Sequence, residues 1–201
     1  MTKQFPLVVL ILFLFQGLQA QISPSTKGLF VNASLSGATV FYDEDNLDDD
    51  ASAGGLEFKI GYGFTPTFTL YATLGGFRVQ GEDESPFTED YDLGIFELAG
   101  RFHFGKKFKS PVFYLDGGFQ FASARISEDP DITLNGAGLV LGPGLLVYLN
   151  RKLALDVNLR LAAGQINDVE IGGTTIDISD GDFRYGISRL NLGVVWYPSN
   201  K

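Results

Sequence analysis

Cysteine is absent from the 201 residues. That excludes a disulfide framework, a thiolate nucleophile and any Cys-ligated metal centre. Histidine occurs once, at His103, so no pair of imidazoles can share a metal. Methionine and tryptophan also occur once each. Nowhere does the chain hold the roughly 18 consecutive apolar residues that a membrane-spanning helix needs. Basic residues are outnumbered, 15 against 24 acidic ones, for a net charge of −9. Such a surface repels phosphate, so no nucleic acid is expected as a partner.

Glycine (25 residues) and phenylalanine (18 residues) are plentiful, a composition that favours strands and tight turns. The first twenty residues read as a signal peptide. Lys3 supplies a positive start, Leu7–Phe15 is an apolar run, and Leu18-Gln19-Ala20 offers a cleavage site. One mature domain, residues 21–201, is expected to follow.

From Lys27 onward the hydrophobicity alternates with period two, the signature of strands with one apolar face. Leu29, Val31 and Leu35 alternate with Asn32, Ser34 and Ser36; Phe96, Leu98 and Phe102 with Glu97, Arg101 and His103; Leu155, Val157 and Leu159 with Asp156, Asn158 and Arg160. Eight strands result, near 28–42, 54–65, 67–80, 92–105, 111–126, 132–149, 152–166 and 183–197. The apolar phase slips at Gly75-Gly76, after which Phe77 and Val79 are expected to continue the apolar face through a bulge.

Short connections near Pro66, Gly105–Ser110 and Asn150-Arg151 interleave with long ones at Asp43–Ala53, Gly81–Tyr91, Ser127–Asp131 and Asn167–Asp182. Such alternation is what an up-and-down antiparallel barrel requires. Acidic residues crowd the long connections, and only Glu57, Glu97, Asp116 and Asp156 fall within strands, on polar faces. Lys106, Lys107, Lys109, Arg151 and Lys152 mark the short-turn end, while Lys59, Arg78, Arg101, Arg160 and Arg189 are assigned to polar strand faces.

A soluble barrel would turn the apolar faces inward. Here they carry too many Leu and Phe residues for an eight-stranded interior, which side chains only just fill. The opposite faces are small, polar and balanced in charge, and buried charges persist only when paired. The expected fold is therefore all-β, an eight-stranded antiparallel up-and-down transmembrane β-barrel with lipid outside and ions inside. Its interior polar network is expected to comprise Glu57, Lys59, Glu97, Arg101, Asp116, Asp156, Arg160 and Arg189. Tyr62, Phe64, Phe68, Phe104, Phe108, Phe113, Tyr148, Trp196 and Tyr197 are expected to form an aromatic girdle at the short-turn end.

With these features in place, the sequence resembles the small outer-membrane barrels of the OmpA/OmpX type, and most of all the outer-membrane β-barrel domain family common in Bacteroidetes. Gly142-Pro143-Gly144-Leu145, Lys152-Leu153-Ala154-Leu155-Asp156-Val157 and the closing run Leu190–Tyr197 carry the likeness. The resemblance implies the cell outer membrane of a Gram-negative bacterium as location. It also implies a non-catalytic structural or surface-interaction role. The expected partners are outer-membrane lipid and lipopolysaccharide, with the barrel-assembly machinery during insertion; a monomer without cofactor is expected. Such barrels often end on an aromatic residue, whereas here Pro198–Lys201 follow Tyr197.

Three alternatives remain open. Interior glycines, among them Gly61, Gly63, Gly138, Gly142 and Gly144, could leave space for a small porin-like channel. A lipid-modifying enzyme would need His103, yet that residue falls near the short-turn end and no nucleophile stands out. No catalytic residue is assigned. The acidic stretch Asp43, Asp45, Asp48, Asp49 and Asp50 is a weak calcium candidate, since Asp48 stands where an EF-hand loop needs glycine.

The membrane assignment predicts heat-modifiable migration. Protein from the membrane fraction should run differently on a detergent gel before and after boiling; identical migration together with recovery in the soluble fraction would refute it.

Overall fold

The computed structural model describes residues 26–44, 47–80, 90–104, 110–126, 130–179 and 183–198, with backbone alone for 42–44 and 47–50. The stretch read as a signal peptide lies outside the described residues. Among the described residues nine strands occur in chain order: β1 (Gly28–Glu44), β2 (Leu47–Gly63), β3 (Phe68–Val79), β4 (Tyr91–His103), β5 (Val112–Ile126), β6 (Ile132–Tyr148), β7 (Leu153–Ile171), β8 (Thr174–Asp177) and β9 (Arg184–Trp196). All pairings are antiparallel. Each strand from β1 to β7 pairs with the next, and β7–β9 and β9–β1 close the ring. Eight strands thus form the wall. β8 is an addition that folds back on β7 above it, through a Gly172-Gly173 turn whose φ angles of 55° and 83° favour glycine.

Closure fixes the geometry. A row of partners starting at Phe30 passes through Gly61, Tyr71, Ala99, Gly118, Val140, Ala162 and Ile187. It returns to β1 at Val40, ten residues further along. That stagger tilts the strands by roughly 40° and sets a bore that side chains can fill.

Several expectations change. The connection expected at Asp43–Ala53 is largely paired strand, with Asp43 opposite Asp48 and Glu44 opposite Leu47. Asp43, Asp48, Asp49 and Asp50 therefore sit on ladder backbone, and Asp45 lies outside the described residues. The side chains of all five calcium candidates thus lie outside the described residues; among the described residues no group of three or more acidic or histidine side chains gathers as a metal site. The expected Asn167–Asp182 loop is in part a β7–β8 hairpin. Gly75-Gly76 forms no bulge: both residues pair in unbroken register with β2 and β4, whereas the register shifts at Asn135/Gly136 between β6 and β7.

The phase slip has another cause. Along the lower part of β3, Leu70 and Leu74 face out and Thr69, Tyr71 and Thr73 face in. Past the glycines the parity continues but the residue types swap: Phe77 and Val79 are buried inside and Arg78 is outside. Other strands make the same swap near their long-connection ends. Ala38 and Val40, Leu93 and Ile95, Ala124 and Ile126, and Tyr185 and Ile187 point inward. Asp92, Arg125 and Arg184 face outward. The lower wall is apolar outside, as contact with lipid demands; the upper wall is polar outside and apolar inside, as contact with water demands.

At the opposite end Tyr148 and Tyr197 also depart from expectation. They are buried and stack on each other inside the bore at a centroid distance of 5.8 Å, with Phe30 beside Tyr197. Of the remaining described girdle residues, Tyr62, Phe64, Phe104, Phe113 and Trp196 are exposed on the outer face and Phe68 is half-buried; Phe108 lies outside the described residues. Val147 is buried as well.

The swap predicts that Phe77 behaves as a core residue. Phe77→Ala should destabilise the barrel by about 3 kcal/mol, measured by urea unfolding in vesicles, whereas the exposed neighbour Gln80→Ala should leave stability unchanged. Equal effects would remove the upper core from the account.

Candidate functional site

The candidate site is the bore itself. Period-two pairing aims alternate side chains of every strand at the axis. The stagger brings residues from different strands to one depth. Glu57 and Lys59 come from β2, Glu97 and Arg101 from β4, Asp116 from β5, Asp156 and Arg160 from β7, and Arg189 from β9. All eight are buried, each at most 1% exposed.

They form one connected chain of ions. Arg101 grips Asp116 with two parallel hydrogen bonds, Nε to Oδ1 at 2.9 Å and Nη2 to Oδ2 at 3.1 Å, and its Nη2 lies 3.5 Å from Asp156 Oδ2. Arg160 bridges two acids, donating from Nη1 to Asp116 at 2.8 Å and from Nη2 to Glu97 at 2.6 Å. Arg189 donates to Glu57 at 2.8 Å, to Gln120 Oε1 at 2.8 Å and to the second oxygen of Glu97. Lys59 Nζ ends the chain 3.2 Å from Glu57 Oε2. Acids and bases alternate throughout, four of each, so the network is neutral when every member is ionised.

Neutral partners complete it. Tyr71 accepts from Arg160, and Tyr114 donates to Asp156. The Arg101 guanidinium lies over the Tyr114 ring at 3.7 Å and faces the Tyr71 ring at 5.4 Å, contacts that strengthen when shielded from water. Asn191 donates to Glu57 and Asn158, and Asn32 donates to Asp156. The sequence pattern put Asn32 and Asn158 on polar faces. Nothing local distinguished them from the other polar residues there, because the contacts span up to 134 residues of chain.

Apolar layers lie on both sides of the ions. On the long-connection side is the cluster containing Val40, Phe77, Val79, Leu93, Ile95 and Ile187. On the short-turn side is the cluster containing Phe30, Val112, Leu146, Tyr148, Val195 and Tyr197. The glycines that could leave space for a channel do not. A Cβ at Gly144 would lie 2.1 Å from the Tyr114 ring, and one at Gly142 would lie 1.9 Å from the Leu159 carbonyl oxygen. Gly144 is therefore where Tyr114 lies against the backbone, and Gly142 is where β7 comes closest. His103 is buried near Tyr114, with ring centroids 6.0 Å apart. Arg78, assigned to a polar face, is on the outer surface, 3.0 Å from Asp92 and 3.6 Å from Asp90.

Residues 7–197 match the family model for the outer membrane protein beta-barrel domain. The chain belongs to this family. Its place is the outer membrane. Solved structures agree on the fold. The Neisserial surface protein A shares 16% identity over 85% of this chain and 97% of its own, with a TM-score of 0.60. OprG of Pseudomonas aeruginosa shares 12% identity over 88% of this chain and 98% of its own, with a TM-score of 0.55. AlkL, solved in lipid bilayers, shares 18% over 88% of this chain and 93% of its own, at 0.54. No curated protein matches the sequence. In this family setting the outward Leu and Phe residues meet lipid tails, and the ionic chain crosses the barrel at membrane depth.

Removing Arg160 leaves two buried carboxylates, Glu97 and Asp116, short of a partner. Arg160→Met should destabilise the folded barrel by about 3–5 kcal/mol, and adding Glu97→Gln should recover part of that loss. Urea titration of both variants in vesicles measures it; additive losses would show that the two residues are not coupled.

Proposed function

We propose that this chain is a non-catalytic outer-membrane barrel with a sealed bore, serving a structural or surface-interaction role through its extracellular end. One observation carries the reading: the alternating ion chain fills the bore between two apolar layers. An ion or solute passing through would have to break charge pairs worth several kcal/mol in a low-dielectric interior and displace packed aromatic and aliphatic side chains. The glycines that favoured a channel face occupied space instead.

Two features support the choice against catalysis. His103 is packed against Tyr114 and the Arg101 layer, away from the long-connection end. The buried carboxylates each face a cation. The acidic residues at the long-connection end suit contact with partners outside the cell.

Planar-bilayer recording of the purified full chain tests the proposal. No steady conductance is expected. A stable channel at nanosiemens scale would refute the sealed bore.

A further inference from the structure

The outer wall of β3–β7 carries three successive rows of paired residues that differ in kind. The lowest is Leu74–Phe96–Phe121–Ala137, bulky and apolar, with the Phe96 and Phe121 rings stacked at 6.2 Å. The next is Gly76–Gly94–Ser123–Asn135–Asp168, small and polar. Above it runs Arg78–Asp92–Arg125–Thr133–Glu170, charged.

Large residues below and above a small row leave a depression. A groove of about 480 Å³ lies over Gly94 and Ser123, between the Phe96 and Phe121 rings and the Asn135–Asp168 pair, whose side chains are hydrogen-bonded at 2.8 Å. Directly beyond it, on the same face of β5–β7, is a polar recess of about 660 Å³ lined by Arg125, Asp131, Thr133 and Glu170. Adjoining rows line the two, Ser123, Asn135 and Asp168 beside Arg125, Thr133 and Glu170, so they succeed each other as an amphipathic trough, apolar toward the membrane interior and polar toward its outer edge.

We propose that this trough holds one glycolipid of the outer leaflet, its acyl chain against Leu74, Phe96 and Phe121 and its saccharide head against Ser123, Asp168, Asp131 and Glu170. The position decides that the occupant is a lipid, because this face adjoins hydrocarbon and an empty groove there would forfeit packing contacts. The head group follows from the charges. Asp131, Asp168 and Glu170 outnumber Arg125, which is already bonded to Asp131 at 2.7 Å. A phosphate head would meet net repulsion. Sugar hydroxyls would instead donate to the carboxylates and exchange hydrogen bonds with Ser123 and Thr133. The inference rests on the membrane placement of the wall and not on the state of the bore.

Gly94 supplies the test. A Cβ there meets only the Ser123 carbonyl oxygen, at 3.8 Å, so Gly94→Phe fills the groove without disturbing the ladder. Gly37 on β1 also has open space around its Cβ, so Gly37→Phe is the control on the other side of the barrel. The full chain would be folded in detergent with diglucosyl-diacylglycerol, phosphatidylglycerol and phosphatidylethanolamine of matched chains, and retained lipid counted by native mass spectrometry. Heat-modifiability confirms folding of each variant. The wild type should keep one glycolipid per barrel, about tenfold above either phospholipid. Gly94→Phe should drop to the phospholipid level, and Gly37→Phe should not. Equal retention of all three lipids by the wild type, or full retention by Gly94→Phe, would overturn the proposal. A conducting barrel that still kept the glycolipid would refute the sealed bore and leave this site standing.

Discussion

A β-strand has two faces and a strict alternation between them, but the wall of this barrel passes through two solvents. Along the lower half, the outside is hydrocarbon; along the upper half, it is water. Alternation cannot adjust to that change, so the residue types must. Apolar side chains occupy the outward positions up to Leu74, Phe96 and Phe121, then move to the inward positions at Phe77, Val79, Leu93 and Ile95. Closure of the sheet makes this possible, because every backbone donor and acceptor of the wall must be satisfied before side chains can be assigned to lipid.

The inversion produces a stratified bore. Where the outside is lipid, the inside takes the charges, and the tight cylinder forces those charges into direct contact. Where the outside is water, the inside is an ordinary apolar core. Tyr148, Tyr197 and Phe30 close the other end. The ions are thus enclosed above and below, and their geometry is set by packing as much as by attraction. Gly142 and Gly144 matter here because they let β7 and the Tyr114 ring approach, and Tyr114 in turn carries Arg101 and Asp156.

On the outer surface the same change of solvent creates an edge. Rows of bulky, small and charged residues succeed one another within a few positions of each strand, and on β3–β7 that succession leaves a trough with an apolar floor and a polar rim.

Sequence alone determined the eight wall strands over their membrane part and placed the eight charged residues on the polar faces, because period-two alternation is a local property; it missed β8 and the upper pairing of β1 with β2. It misplaced Phe77 and Val79, since alternation shows which residues share a face and not what that face touches. It also left Tyr148 and Tyr197 on the outside, where a terminal aromatic residue is equally at home. Only the tertiary structure decided which acid meets which base, that Arg160 bridges Glu97 and Asp116, and that the glycines are occupied. Those outcomes depend on the ten-residue stagger of a closed ring, which joins positions far apart in the chain and leaves no local trace in it.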